Sequence, residues 1–221
     1  MLGWLRSGAA FPAKTVVLAF DDGYRSVYAE AWPRLAAYGF TATVFLVTGY
    51  CGRDNRWPGQ PAHAPRLPLL SWAEADKLAN AGWELGAHTC THPPLPLVGA
   101  ARVEQEVAES QAAIQARTGQ AAAVFAYPYG ARNAAVEAIV AQHCAGAVST
   151  DMGLVTATGH PYRLARIDAY YWRPQAITAV NSPVFRGYLR LRDALRKLRR
   201  CVYTDWQGSG SLSRPASGPA A

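Results

Sequence analysis

Short apolar runs rich in β-branched residues alternate with helical segments along most of this sequence, and that alternation limits the fold more than any other feature. TVVLAF (15–20), TATVFLV (41–47), WELGAH (83–88), AAVFAYP (122–128), GAVST (146–150) and RLARIDA (163–169) read as strands. Between them, Ser26 to Tyr38, 71–83, 100–118 and 133–144 read as helices. Ser71 is placed to cap its helix, with Glu74 three residues on and Gly82 as the stop. Residues 100–118 put Val103, Val107 and Ile114 on one side and charges opposite. Such alternation with short connections predicts a parallel sheet covered by helices, either an α/β barrel or an open doubly wound sheet.

The polar residues that could do chemistry share one address. Asp21 and Asp22 close the run VLAFDDG, His88 opens HTCTH, and Tyr127–Gly130 ends FAYPYG, each just after an expected strand. Carboxyl ends of parallel strands converge on one face, so these residues are expected to meet in one pocket. Two adjacent carboxylates in a small space repel, and something must offset that. His88 and His92, four apart and followed by Pro93 and Pro94, suit a metal-holding loop. Imidazole nitrogen favours zinc and similar divalent ions, whose catalytic sites take three protein ligands and keep an open position. Asp21 or Asp22 would supply the third. Cys90, between the histidines, is read as packing. Tyr-Pro-Tyr-Gly makes a rigid turn whose backbone N–H groups can stabilise an oxyanion.

Other classes find little support. No GxGxxG follows the first strand and no GxxxxGK[ST] occurs, so nucleotide binding lacks a local signal. Cys51, Cys90, Cys144 and Cys201 lie far apart with no CxxC pair, which predicts free thiols. Residues 1–180 carry 14 Lys+Arg against 13 Asp+Glu, while residues 181–221 carry 8 against 2. The body is therefore nearly neutral and the tail basic, and the tail's charge alone is weak ground for nucleic-acid binding. The N-terminal apolar positions are interrupted by Arg6, Ser7 and Gly8 and do not read as a signal peptide. The expected location is cytoplasmic, or extracytoplasmic if upstream sequence precedes Met1.

AFDDG, HTCTH and FAYPYG, in this order and spacing, resemble the three leading motifs of the polysaccharide deacetylases, carbohydrate esterase family four, in its FAYPYG variety. The resemblance runs from about Lys14 to about Asp168 and includes connecting text such as LSWAEADKLANAGWELGAHTCTHPPL. It implies a distorted parallel (β/α) barrel of about seven strands. It also implies a divalent metal, zinc first, with Co2+, Ni2+ or Fe2+ as alternatives. Carried over by position, Asp22, His88 and His92 would hold the metal. Asp21 would be the general base, and the Tyr129 backbone N–H would join the metal in stabilising the oxyanion, with Pro128 and Tyr129 lining the substrate site. The implied reaction is hydrolysis of an N-acetyl group on an amino-sugar polymer or oligosaccharide, releasing acetate.

The sequence departs from that pattern in two places. The family's motif-three arginine is Ala126 here; in relatives of the FAYPYG variety an arginine in a later R-I strand orients the base, and Arg166-Ile167 resembles it. Asp168 could pair with Arg166 as a structural ion pair. The late Leu-x-His that supplies the general acid is absent, and His160 precedes Arg166, the wrong order for that role. These losses motivate an alternative, a catalytically weakened glycan-binding module that keeps the barrel. Residues 49–68, rich in Gly, Pro and Arg, are expected to form an irregular excursion bordering the substrate groove.

The expected domain plan is a deacetylase-like domain over 1–180, a basic helical extension over 181–206 and a disordered tail over 207–221. RGYLRLRDALRKLRR (186–200) is basic and amphipathic. It suits a helix packed on the barrel with a solvated basic face, or else contact with an anionic membrane surface or a partner protein.

Overall fold

The computed structural model describes residues 15–61, 63–156, 158–172 and 182–202. The readings of the N-terminal segment and of the 207–221 tail fall outside them. Six strands pair in parallel and in chain order: β1 (Ala19–Phe20), β2 (Thr43–Leu46), β3 (Glu84–Ala87), β4 (Val124–Ala126), β5 (Gly146–Met152) and β6 (Leu164–Arg166). About seven were expected; six are present among the described residues. The helices are α1 (Trp32–Ala36), α2 (Trp72–Asn80), α3 (Ala100–Thr118), α4 (Ala134–His143) and α5 (Pro183–Val202).

Period-two alternation sorts the strand side chains into two layers. Val44, Leu46, Leu85, Ala87, Phe125 and Ala147 join the helix-side core with Leu78, Trp83, Val103, Val107, Ile114 and Val140. The intervening residues, Phe45, Val124, Ala126, Val148 and Leu164, form a second cluster on the concave side. Every residue of β2 is buried, as expected for a parallel strand covered on both faces. Each large side chain buried in this way contributes about 1.5–3 kcal/mol. Gly86 is required in β3 because a Cβ there would sit 2.3 Å from Phe45 Cδ1. The Phe45 ring takes the space that a side chain at position 86 would need.

The helix borders follow local chemistry. The Ser71 hydroxyl accepts from Glu74 N at 3.2 Å while Glu74 Oε2 accepts from Ser71 N at 2.9 Å, closing a capping box at the start of α2. Helix α3 spans the interval read from periodicity. The helix expected over Ser26–Tyr38 is instead a π-helical turn at Val27–Ala31 followed by α1. Pro33 has no N–H to give to the Ala29 carbonyl, so the hydrogen-bond ladder changes register there.

The sheet curls until its edges approach. Arg166 at the end of β6 reaches Asp21 beyond β1 with two contacts, Nη1–Oδ1 at 2.6 Å and Nη2–Oδ2 at 2.8 Å. The result is a half-barrel with helices outside and all six strand ends facing one way.

Candidate active site

A pocket of about 260 Å³ opens at those strand ends, lined by Asp21, Asp22, Tyr24, Trp57, Gln60, His88, His92, Tyr127, Tyr129 and Thr150. The loops after β1, β3 and β4 supply the residues singled out in the sequence. The loop after β2 adds Trp57 and Gln60, and β5 adds Thr150.

Asp22 Oδ1, His88 Nε2 and His92 Nε2 form a nearly equilateral triangle. The edges are 3.3 Å and 3.4 Å from the carboxylate to the two rings and 3.2 Å between the rings. A tetrahedral site with bonds of about 2.0–2.1 Å has ligand–ligand edges of about 3.3–3.4 Å. The three donors therefore stand where one small divalent ion would be held, on two nitrogens and one oxygen, a set zinc favours. His88 Nδ1 lies 2.8 Å from the Ala126 carbonyl oxygen. A carbonyl only accepts, so Nδ1 carries a proton in either charge state, and when the ring is neutral Nε2 presents its lone pair to the triangle.

Electrostatics agree with that arrangement. Burial works against a charge on Asp22, yet hydrogen bonds from His88 and His92 and their positive potential hold its carboxyl well below the usual range. Burial also disfavours charge on His88, but Asp22 and Asp21 outweigh it and move the ring up. For His92 burial prevails, and its affinity for a proton falls. One carboxylate cannot support two buried imidazolium rings side by side.

Among the described residues, four non-glycine residues have a left-handed backbone: Asp22, Thr89, His92 and Tyr129, at φ of 68°, 69°, 59° and 59°. All four lie in the loops that build the pocket. Such conformations cost about 1–3 kcal/mol each and persist only where the surroundings impose them. Here the imposing contacts are visible. The fully buried Thr89 hydroxyl donates to the His88 carbonyl and accepts from His92 N at 2.9 Å, tying the two histidines together. From α3, the buried Glu106 carboxylate accepts from Cys90 N at 2.7 Å and Thr91 N at 2.9 Å, and from the Thr91 hydroxyl. Gly130 is needed in the β4 loop, at φ 68°, because a Cβ would lie 2.0 Å from Thr150 Oγ1.

Glu106 corrects the reading of 100–118, which put the charges opposite the apolar side. It is buried beside Val103 and Val107 on the same face of α3. A carboxylate inside an apolar stripe was the available signal, because an ion there needs several donors. Trp57 carries no periodic signal in the sequence, a single tryptophan in a stretch of Gly, Pro and Arg. It is 3% exposed, and its ring sits 4.4 Å from His92 and 5.8 Å from Tyr50.

Asp21 does not join the triangle. It is held by Arg166, whose Nε also donates to the Ser149 carbonyl at 3.0 Å. A two-point guanidinium contact occupies one lone pair on each carboxylate oxygen and leaves the others free. Asp168, considered as the partner of Arg166, instead accepts from Tyr170 N at 2.8 Å. His160 accepts from Tyr162 N and does not line the pocket. Cys90 stays outside the donor triangle, with Thr48 Oγ1 3.5 Å from its sulfur. Pro128 is buried at the turn and lacks an N–H, while Gly130 N and Ala131 N are spent on Tyr127 O and Pro128 O. The Tyr129 N–H makes no hydrogen bond among the described residues, which leaves a free backbone donor on a residue that lines the pocket.

Replacing Arg166 by Ala is expected to lower kcat about 10–100-fold with metal content unchanged, because Asp21 would lose its orientation. Arg166→Lys should not restore the rate, since one ammonium cannot reproduce two parallel contacts. Steady-state kinetics beside elemental analysis would check this, and a fully active Lys variant would contradict it.

Comparison with known proteins gives a consistent family. A family model described as polysaccharide deacetylase matches residues 8–147. The poly-beta-1,6-N-acetyl-D-glucosamine N-deacetylase of Staphylococcus aureus (strain N315) is 26% identical over 132 residues, 56% of this chain and 43% of that protein. The chain spans about half the length of the curated relatives it matches. Among solved structures, the Streptococcus pyogenes deacetylase PplD in complex with acetate is 26% identical with a TM-score of 0.64, covering 75% of this chain and 69% of that one. IcaB from Ammonifex degensii, 22% identical with a TM-score of 0.65, covers 79% and 84% and shares the fold.

Proposed function

The chain belongs to the polysaccharide deacetylase family, and from that premise we propose that it is a metal-dependent hydrolase that removes N-acetyl groups from an amino-sugar polymer or oligosaccharide and releases acetate. The observation that carries the reading is the three-donor triangle of Asp22, His88 and His92 with Asp21 beside it, oriented but uncoordinated. The relatives named for N-deacetylation of poly-N-acetylglucosamine, and the solved deacetylase holding acetate, support the substrate class.

The division of labour follows from the side chains. Asp22, His88 and His92 would hold a divalent ion, zinc by preference of the donor set. When bound, that ion supplies Lewis acidity that polarises the amide carbonyl and acidifies water. Asp21, fixed by Arg166, takes a proton from the attacking water. The Tyr129 N–H, which has no partner among the described residues, serves as a donor for the oxygen of the tetrahedral centre. Asp21 is the only carboxyl of the lining outside the triangle. The nearby phenol of Tyr24 is pushed up to about 12 by burial and by the charge of Asp22, which makes it a poor acid at neutral pH. Asp21 therefore also returns the proton to the leaving amine, the task a separate histidine would otherwise perform. Trp57 and Gln60 wall the pocket on the side of the 49–68 excursion.

The test is acetate release from poly-N-acetylglucosamine, chitin oligosaccharides and peptidoglycan by the purified chain. Turnover is expected on at least one of them, abolished by a chelator and restored by Zn2+ or Co2+. A metal-loaded protein inert on all three would overturn the reading.

A further inference from the structure

Helix α5 carries two apolar rows, and the fold uses only one. Phe185 and Leu189, four residues apart, are buried at 0% and 5% exposure where α5 meets β5. Val184, Leu191 and Leu195 are 72%, 59% and 48% exposed. With the half-buried Tyr188 they occupy positions i, i+4, i+7 and i+11, one continuous row beside the buried one. A solvated apolar row of this length marks a contact surface. The same interval, Pro183–Val202, contains six arginines and one lysine against the single Asp193. Nearly all of the chain's net charge of +7 is therefore concentrated on this helix.

We propose that α5 is an interfacial membrane helix, whose exposed Val184–Leu191–Leu195 row enters the headgroup region of an anionic bilayer. The Phe185–Leu189 row keeps the helix attached to the half-barrel while it does so. Charge selects this occupant. A second copy would set one strongly basic helix against another, and an apolar protein groove would leave the arginines without a role. Anionic lipid satisfies both, since acyl chains take the leucines and headgroups take the guanidinium groups. Seven cations in 20 residues exclude a spanning orientation, and among the described residues no helix is long and apolar enough to cross a membrane. The helix lies on the surface. The proposal is independent of the chemistry at the strand ends.

Co-sedimentation of the full chain with extruded vesicles tests it. Vesicles of phosphatidylcholine with about one-third phosphatidylglycerol should pull the protein down, while phosphatidylcholine alone should not, and high salt should weaken the binding. The double variant Leu191→Asp/Leu195→Asp should bind at least about 10-fold more weakly. Arg190→Glu should weaken binding about fivefold or more, and Arg34→Glu on α1 should not change it. Both leucines are exposed, so an unchanged circular dichroism spectrum is expected for the double variant. Equal binding to neutral vesicles, no binding to anionic ones, or full binding by the leucine variant would each overturn the proposal. So would a dimer in sedimentation velocity that the leucine variant dissociates, which would assign the row to a second copy.

Discussion

Asp21→Asn is expected to leave the metal in place and stop the reaction, whereas Asp22→Asn should lose both. The two aspartates are adjacent but face different partners. Asp22 Oδ1 closes the triangle with His88 and His92 at 3.3 Å and 3.4 Å, and Asp21 is taken by Arg166. An amide at position 22 keeps the left-handed backbone, which Asn tolerates well, but offers the ion only a neutral oxygen. Metal content by elemental analysis should fall from about one per chain towards zero. An amide at position 21 cannot take a proton from water, and loss of a general base costs about 10²–10⁴ in rate. Its metal content should match the parent. A metal-free Asp21→Asn protein, or an active one, would show that the roles were assigned to the wrong carboxylates.

The second large effect is expected at Glu106, which does not line the pocket. Glu106→Ala removes the acceptor for Cys90 N, Thr91 N and the Thr91 hydroxyl, and takes from Arg102 Nη2 its carboxylate partner at 2.6 Å. The summed cost is about 2–4 kcal/mol of stability, readable by denaturant titration of the metal-free protein. The loop that carries His92 in a left-handed conformation would relax, and metal affinity should weaken about 10–100-fold. Glu106→Gln restores one acceptor oxygen and should recover part of both losses. Unchanged stability and metal affinity in the Ala variant would mean that Thr89 and β3 hold the loop unaided.

That pair of predictions separates what was readable in the chain from what was not. Asp21, Asp22, His88, His92 and the Tyr127–Gly130 turn were legible because each follows a strand, and parallel strands bring their carboxyl ends together. The capping box at Ser71 and the span of α3 were legible because their causes lie within four residues. The partner of Arg166 was indicated by the family resemblance, which has this arginine orient the base, and not by the local sequence, where Asp168 two positions away offered an ion pair. The contact is with Asp21, 145 residues distant. It also resolves the apparent loss of the motif-three arginine at Ala126, since a guanidinium arrives from the opposite edge of the sheet.

Glu106 and Trp57 escaped for the same reason. Burial of a charge is decided by donors elsewhere in the chain, here the loop after β3, and an aromatic in an irregular loop has no period to betray its side. By itself the sequence determined the element order, the parallel sheet and the residues able to bind a metal, because hydrophobic period and turn chemistry act between near neighbours. The residues alone left the two aspartates open, and the family resemblance assigned Asp22 to the histidines and Arg166 to the base. The tertiary structure brings those groups together, and it alone decided that Glu106 and Trp57 are buried and which row of α5 stays exposed. Those outcomes depend on how far the sheet curls and on which surfaces it brings against one another, and neither quantity is local.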